Sequence, residues 1–335
     1  MGRTAVMGAG SWGTAYALMC HDAGEDVVVW ARRPEVAEEI NVERTNRAYL
    51  PDAELPPLRA TADPEEALDR ADVVVLAVPS IGISDQLAAW GHAVPDRASL
   101  ASLIKGVDVE TRRFGSEVIA DGIGGDPDRI VVVSGPNLAK ECAQRLPAAT
   151  VAASPSIDHA RRVQQAAHAP YFRVYTNPDR IGVEVGGAVK NVVALAAGIA
   201  HGMGFGDNTM ATVITRGLAE MQRLGVALGG EALTFGGLAG VGDLVATCTS
   251  PKSRNRTVGT RLGTGESLDD VIASMNMVAE GVKSSRAIVA LAREQEVEMP
   301  IAEAVVAILH EGLDARDAIK ALLARSAKPE IYGLD

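Results

Sequence analysis

The distribution of apolar residues divides the chain into two parts of different character. Up to residue 178, short apolar runs alternate with longer mixed segments, which is typical of buried parallel strands separated by helices. We predict strands at residues 4–7, 26–30, 72–78, 100–104, 130–133, 148–153 and 171–175. We predict helices at residues 14–19, 34–47, 83–90 and 138–145. This alternation favours a doubly wound, Rossmann-like α/β domain over residues 1–178.

The strand pattern stops after residue 178, and helical periodicity replaces it. We predict helices at residues 179–202, 207–228, 268–274, 281–296, 300–312 and 315–325. The glycine-rich segment 235–248 interrupts them, and we predict an irregular loop there because glycine tolerates unusual backbone conformations. We therefore expect a C-terminal all-α domain over residues 179–335.

Composition narrows the class of protein. The 335 residues are 47% hydrophobic and 22% charged, as in ordinary soluble globular proteins. The net charge of −11 disfavours binding to nucleic acid. The three cysteines lack metal-ligand spacing, and their small, odd number favours a reducing cytoplasm. The apolar run 185–200 is short, rich in small residues and interrupted by a lysine, so we expect no membrane insertion.

The first predicted strand runs into a glycine motif at residues 8–13, and a predicted helix follows. In this context Gly8 makes a tight turn, Gly10 lets a pyrophosphate approach the backbone, and Gly13 lets the helix pack on the strand. The helix N-terminus then faces the phosphates. The alternative is a glycine-rich turn without a ligand. The context favours dinucleotide binding.

Two arginines, Arg32 and Arg33, follow the second predicted strand. An acidic residue at this position would bind the ribose 2′-hydroxyl of NAD, whereas guanidinium groups suit a 2′-phosphate. We therefore expect NADP (NADPH) to be the preferred cofactor, with NAD possible. The alternative is an exposed basic pair without a ligand.

A lysine stands in the middle of the predicted helix 179–202, which is apolar nearly all round. Burial would lower the pKa of Lys190 towards the range that is useful for proton transfer. Gly186 and Ala194 lie one turn away on either side, and we expect their small side chains to leave room for a ligand. The alternative is a structural lysine that reaches solvent from a core helix.

Other polar residues follow predicted strands or lie in the glycine-rich part of the second half. Lys105 and Asn137 follow two strands, and ligands bind at the carboxyl ends of strands in open α/β sheets. Asp243 is available to pair with a buried cation. The cationic cluster 252–256 contains Lys252, Arg254 and Arg256, and is typical of a phosphate site. Its alternative interpretation is a solvated loop.

Several of these motifs together resemble the NAD(P)-dependent sn-glycerol-3-phosphate dehydrogenases. They lie at residues 8–13, 105–106, 134–137, 189–194, 242–244, 253–256 and 278–281, so the resemblance covers nearly the whole chain. It implies hydride transfer between NAD(P)H and dihydroxyacetone phosphate, which gives sn-glycerol 3-phosphate for phospholipid synthesis. Asn137 departs from the commonest bacterial pattern, in which Ser or Thr is frequent, but an amide can make the same kind of hydrogen bond.

The resemblance also implies roles for individual residues. Lys190 would be the catalytic acid/base. The substrate-binding residues would be Lys105, Gly135, Asn137, Lys190, Asp243, Ser253, Arg254 and Asn255. The cofactor-binding residues would be Gly8, Gly10, Ser11, Trp12, Gly13, Arg32, Arg33, Lys105, Ala139, Arg254, Val278 and Glu280. No metal is expected, and we expect a cytoplasmic homodimer.

Two other functions share part of this pattern. A β-hydroxyacid dehydrogenase or ketopantoate reductase would have the glycine motif and a catalytic lysine, but would not need the cationic cluster 252–256. A non-catalytic NADP sensor would need the glycine motif but no buried lysine. Turnover of dihydroxyacetone phosphate with NADPH separates these possibilities.

Overall fold

The computed structural model describes residues 2–275, 279–326 and 329–330. The chain forms two compact units. The first comprises Met1–Ile104 and Phe114–Arg180, and the second comprises Lys105–Arg113 and Ile181–Asp335. The assignment of residues 1–178 and 179–335 to separate functional domains stays a prediction.

The first unit is built on an eight-stranded sheet in the order β3-β2-β1-β4-β5-β6-β7-β8. Neighbouring strands are parallel except for the antiparallel pair β6–β7. The strand order reverses beside β1, which is the kind of switch point where open α/β sheets bind ligands. The strands are β1 (Arg3–Met7), β2 (Asp26–Trp30), β3 (Arg59–Thr61), β4 (Val73–Leu76), β5 (Ser99–Ser102), β6 (Ile130–Ser134), β7 (Ala148–Ala153) and β8 (Phe172–Asn177).

Both faces of the sheet are buried. On β4, Val73 and Val75 belong to one apolar cluster, and Val74 and Leu76 belong to the other. This arrangement explains the continuous apolar run in the sequence, because a strand that is covered on both faces needs apolar residues at every position. The helices of this unit are α1 (Ser11–Asp22), α2 (Pro34–Glu38), α3 (Pro64–Leu68), α4 (Ile83–Trp90), α5 (Gly115–Ile123), α6 (Ala139–Ala143) and α7 (Ile157–Ala167). The predicted doubly wound architecture is confirmed.

The second unit is helical. Its helices are α8 (Arg180–Gly202), α9 (Asp207–Ala227), α10 (Asp243–Thr249), α11 (Arg254–Gly263), α12 (Leu268–Ala273), α13 (Glu280–Glu294), α14 (Pro300–His310) and α15 (Ala315–Leu323). By length and composition, α8 is long and apolar enough to cross a membrane, but 94% of its most apolar stretch is buried inside the protein. A core helix has the same property, so this finding is weak evidence for a membrane span.

Two predicted elements were wrong in extent or type. The helix predicted at residues 34–47 continues past α2 only as a π-helical turn, Glu39–Glu43, and Arg44 then adopts a left-handed conformation with φ +55°. The segment 235–248 is mostly helical. It contains the 3₁₀ turn Ala232–Gly236, the π-helical turn Leu238–Gly242 and α10.

Candidate active site

A cluster of two lysines and one aspartate lies in the core of the second unit. The Asp243 carboxylate pairs with Lys190 through Oδ1 and with Lys105 Nζ, at 2.9 Å, through Oδ2. Lys190 Nζ also donates a hydrogen bond to Thr247 Oγ1 at 3.0 Å. Lys190 and Asp243 are only 6% and 2% exposed. We call these four residues the lysine cluster, and it joins three of the residues that the resemblance singled out.

The backbone around the lysine cluster explains how α8 and α10 meet. A Cβ at Gly186 would lie 2.7 Å from the carbonyl oxygen of Ala239, so only glycine lets the π-helical turn before α10 rest on α8. Asp243 begins α10, where the positive end of the helix dipole stabilises a carboxylate. The expectation that Gly186 leaves room for a ligand is wrong, because backbone fills that space.

Burial and charge set the protonation states in the cluster. Burial lowers the pKa of Lys190 to about 8, an effect that Asp243 opposes and that the repulsion of Lys105 reinforces. Burial alone would raise the pKa of Asp243, but the two ammonium groups hold it below its usual value. At neutral pH the cluster therefore holds a carboxylate and a Lys190 ammonium that is close to releasing its proton.

Thr247 is a member of the cluster that sequence reasoning missed. Its hydroxyl donates a hydrogen bond to the backbone oxygen of Asp243 at 2.6 Å and accepts one from Lys190 Nζ at 3.0 Å. The available signal was spacing, because a residue four positions after Asp243 lies on the same face of a helix.

A second polar network holds Asn255 in place. Asn255 Nδ2 donates to Asn191 Oδ1 at 2.9 Å, and the backbone N–H of Gly281 donates to Asn255 Oδ1 at 3.0 Å. Asn191 Nδ2 in turn donates to the backbone oxygen of Lys105 at 2.9 Å. The amide predicted to bind substrate thus contacts protein through both its oxygen and its nitrogen, and the network fixes the backbone that carries Lys105.

Close helix packing brings Asn255 to Asn191. A Cβ at Gly198 would overlap the carbonyl oxygen of Arg256, and a Cβ at Gly259 would overlap that of Leu195. The backbones of α8 and α11 are therefore in direct contact. Only glycine at both positions allows helices to approach so closely.

The start of α11 presents the residues of the predicted phosphate site. Ser253 caps this helix through a hydrogen bond from the Arg256 N–H to Ser253 Oγ at 3.3 Å. Arg254 is the first residue of the helix and is exposed. An exposed guanidinium beside a helix N-terminus is suited to an anion.

In the first unit, the glycine motif at residues 8–13 links β1 to α1, and we call it the glycine turn. Gly8 has φ +128°, and a Cβ there would lie 2.6 Å from the carbonyl oxygen of Ala77. A Cβ at Gly13 would overlap the carbonyl oxygen of Gly8, so helix and strand are in close contact. A Cβ at Gly10 would meet nothing within 4 Å. The geometry therefore fits a pyrophosphate beside Gly10, at the start of α1.

The two predicted 2′-phosphate ligands follow β2 and are both exposed. The guanidinium of Arg33 lies 5.9 Å from the centre of the Tyr49 ring, which is within the range of a cation–π contact. Ser11 Oγ donates to the backbone oxygen of Tyr49 at 2.8 Å. The loop that carries Tyr49 is thus joined to the glycine turn.

The remaining predicted residues occupy turns or helix starts. In the first unit, Asn137 Nδ2 donates to Thr150 Oγ1 at 2.9 Å, and a Cβ at Gly135 would lie 2.9 Å from the Thr150 Cα. Ala139 begins α6, and in the second unit Glu280 begins α13. Trp12 packs edge-on against Tyr16. Val278 lies outside the described residues.

Family comparisons agree on both halves of the chain. The profile of the NAD-dependent glycerol-3-phosphate dehydrogenase N-terminus matches residues 3–160, and that of the C-terminus matches residues 179–320. A glycerol-3-phosphate dehydrogenase [NAD(P)+] from Corynebacterium aurimucosum is 55% identical over 98% of this chain and 100% of its own length. One from Streptomyces griseus is 56% identical over 98% of both chains.

A solved structure has the same fold over almost the whole length. The crystal structure of a glycerol-3-phosphate dehydrogenase from Coxiella burnetii superposes with a TM-score of 0.91 at 37% identity. The match covers 97% of this chain and 99% of that one. The similarity therefore extends through both units.

Proposed function

The chain belongs to the NAD-dependent glycerol-3-phosphate dehydrogenase family, and from this premise we propose how its residues perform the reaction. The protein is an oxidoreductase that interconverts dihydroxyacetone phosphate and sn-glycerol 3-phosphate with NAD(P)H. The observation that carries the proposal is the buried Lys190 ammonium, held by Asp243 beside a second lysine. Burial of these charges costs free energy, and a non-catalytic NADP sensor would not require a buried lysine.

Lys190 acts as the acid in the reducing direction. When bound, the nicotinamide cofactor supplies the hydride that adds to the carbonyl carbon of dihydroxyacetone phosphate. Negative charge then develops on the carbonyl oxygen, and the Lys190 ammonium stabilises it and transfers a proton to it. In the oxidising direction, neutral Lys190 removes the proton from the hydroxyl group. A pKa of about 8 suits both roles, because each form of Lys190 is accessible near neutral pH.

Asp243 and Lys105 tune this proton transfer. The carboxylate orients the Lys190 ammonium and raises its pKa, while Lys105 lowers it. The two lysines bind different oxygens of one carboxylate, so Asp243 holds both ammonium groups close together. We assign Lys105 a further contact with the bound substrate and cofactor.

The substrate phosphate binds at the start of α11. Support comes from the capping Ser253, the exposed Arg254 and the positive end of the helix dipole. Asn255 helps to hold the start of α11 in place through its contacts with Asn191 and Gly281. Gly135 and Asn137, in the first unit, are assigned to the substrate as well. Phosphate binding supplies energy remote from the reacting carbon.

The glycine turn, with Ser11 and Trp12, binds the pyrophosphate side of the cofactor. Support comes from the open space beside Gly10 and from the strand–turn–helix geometry around it. Arg32 and Arg33 bind the 2′-phosphate, so NADPH is preferred and NADH is also used. Ala139, Arg254, Val278 and Glu280 complete the proposed cofactor contacts. The N-terminal domain, 1–178, thus serves the cofactor, and the all-α domain, 179–335, carries the catalytic lysine.

The setting of the enzyme is also a proposal. Cys20, Cys142 and Cys248 are buried thiols that form no disulfide, which supports a reducing compartment such as the cytoplasm. The product serves phospholipid synthesis. The homodimer stays a prediction, and the molecular mass in solution, measured by light scattering, tests it.

An absorbance assay of reduced nicotinamide tests the proposed function. The purified protein should oxidise NADPH with dihydroxyacetone phosphate, more slowly with NADH, and hardly at all with unphosphorylated dihydroxyacetone. Oxidation of NADPH with ketopantoate but not with dihydroxyacetone phosphate would contradict the proposal. Binding of NADPH without any turnover would instead favour the sensor function.

A further inference from the structure

One buried asparagine of the first unit joins a distant loop to the glycine turn. Asn46 is fully buried, and its Nδ2 donates two hydrogen bonds, to the Ala9 carbonyl oxygen at 2.9 Å and to Thr14 Oγ1 at 2.9 Å. Its partners are 37 and 32 residues away in sequence. Neither the glycine motif nor the family resemblance assigns a role to this residue.

The hydrogen bond from Asn46 to the Ala9 carbonyl also sets the direction of a backbone N–H that a ligand could contact. Ala9 lies between Gly8 and Gly10, so its carbonyl belongs to the peptide that contributes the N–H of Gly10. In a planar trans peptide the C=O and N–H bonds point in opposite directions. When Asn46 holds the Ala9 carbonyl towards the protein interior, the Gly10 N–H points away from Asn46. A Cβ at Gly10 would meet nothing within 4 Å, so the space around this residue is open to a ligand.

The second hydrogen bond and the surrounding loop keep Asn46 itself in place. Thr14 lies in the first turn of α1, so one amide group ties the glycine turn to the helix that follows it. The Asn46 backbone oxygen accepts hydrogen bonds from Tyr49 N–H, at 3.1 Å, and from Leu50 N–H, at 2.7 Å. Ser11 Oγ contacts the same loop at the Tyr49 oxygen. The loop that carries Asn46 and Tyr49 therefore holds the glycine turn in place.

We propose that Asn46 is a positioning residue of the dinucleotide site, which orients the Ala9–Gly10 peptide so that its N–H faces the cofactor pyrophosphate. This inference rests on the proposed function, since it assumes that the glycine turn binds NADPH. A pre-oriented donor lowers the cost of binding, because the turn does not have to be ordered when the ligand arrives. Loss of Asn46 thus weakens the binding of NADPH more than the binding of dihydroxyacetone phosphate.

The test compares Asn46→Ala with Asn41→Ala. Asn41 makes two similar bonds in the same unit, as its Nδ2 donates to the Ala60 oxygen and its Oδ1 accepts from the Ala60 N–H, both at 2.8 Å. These bonds serve β3 and not the glycine turn. We expect Asn46→Ala to raise the Kd and KM for NADPH roughly tenfold, as two buried hydrogen bonds are lost. The KM for dihydroxyacetone phosphate should keep its wild-type value, and Asn41→Ala should change neither constant.

A second variant covers the case in which Asn46→Ala does not fold. Thr14→Val keeps the shape of the side chain and removes only one of the two acceptors, and we expect the Kd for NADPH to rise about threefold. NADPH fluorescence and melting temperature are measured on each variant. An NADPH affinity of folded Asn46→Ala equal to that of Asn41→Ala would overturn the inference, as would an unchanged affinity of Thr14→Val. Failure of the wild-type protein to bind NADPH would instead overturn the proposed function.

Discussion

The glycine turn and the lysine cluster differ in the groups that they offer to a charge: backbone groups in the first, side chains in the second. The glycine turn lies within six consecutive residues, 8–13, and offers backbone N–H groups and a helix N-terminus to an anion. The lysine cluster collects side chains from positions as far apart as 105 and 243 and buries their charges. Backbone recognition is therefore visible in a short motif, whereas a buried charge cluster exists only after the chain has folded.

The two regions also differ in what a mutation removes. A side chain at Gly8 or Gly13 of the glycine turn adds bulk where backbone atoms meet, whereas loss of Asp243 removes the anion that Lys105 and Lys190 share. Loss of Lys190 should thus abolish chemistry and spare cofactor binding. Changes near the glycine turn should alter cofactor affinity and spare chemistry.

Replacement of Lys190 by methionine is expected to have the largest effect. Turnover should fall about 10²–10⁴-fold, because the proton donor is lost while a similar apolar stem remains. NADPH affinity should be retained, and the fold should survive because Asp243 keeps its partner Lys105. Steady-state kinetics, NADPH fluorescence and melting temperature measure these three properties. Lys320→Met, at an exposed lysine of α15, is the control. A folded Lys190→Met protein with most of its turnover would refute the assignment.

Replacement of Asp243 by asparagine tests the charge balance of the cluster. The free energy of unfolding should fall by about 3–5 kcal/mol, because the buried Lys190 ammonium and the partly buried Lys105 ammonium lose their common anion. Urea denaturation measures this change. The matched control is Asp317→Asn, which breaks an exposed pair with Lys320 and should cost less than about 1 kcal/mol. Equal losses in the two variants would show that the buried carboxylate does not stabilise the cluster.

Replacement of Arg32 by aspartate should have a smaller effect, confined to cofactor choice. The loss of a charged hydrogen bond to the 2′-phosphate should weaken the binding of NADPH by roughly 1.5–3 kcal/mol. NADH should bind as well as before or better. The ratio of kcat/KM for the two cofactors measures the shift. Arg161→Asp, at an exposed position of α7, controls for net charge. An unchanged ratio would exclude Arg32 from the 2′-phosphate site.

The sequence predicted β4 and β6 of the first unit clearly, because each contains an uninterrupted apolar run between polar segments. It missed β3 and α3, which are only three and five residues long, and also the longer helices α5, α7 and α11. The start of α3 did carry a signal, since Asp63 stands before Pro64 and its carboxylate accepts the Glu65 N–H at 2.9 Å. Such short elements contribute too few residues to establish a period.

The glycines of segment 235–248 misled the prediction for a physical reason. We took them as a sign of unusual backbone angles, but none of the four glycines between residues 236 and 242 has a positive φ. Gly240 is required because a Cβ there would overlap the backbone of Phe235, and Gly225, in α9, makes room for the Phe235 ring. Glycine selected for close packing cannot be distinguished from glycine selected for conformation without the packing partner.

Three of the four residues of the lysine cluster were singled out from the sequence, but most of the contacts between them were not. Lys190 and Asp243 were identified as possible partners, yet the sharing of one carboxylate by Lys105 and Lys190 required coordinates. The substrate contact of Asn255 stays a prediction, and the contacts of its amide with Asn191 and Gly281 were not foreseen. Hydrogen-bond partners far apart in sequence follow from the packing of helices, which a single sequence does not specify.

The pH dependence of the two reaction directions tests the central claim most directly. Since burial lowers the pKa of Lys190 to about 8, its ammonium form predominates below pH 8 and its neutral form above. The kcat/KM for reduction of dihydroxyacetone phosphate, which reports the free enzyme, should therefore fall as the pH rises through about 8, and the kcat/KM for oxidation of glycerol 3-phosphate should rise over the same range. If both directions showed the same pH dependence, or none between pH 7 and 9, Lys190 would not be the acid and base of this enzyme.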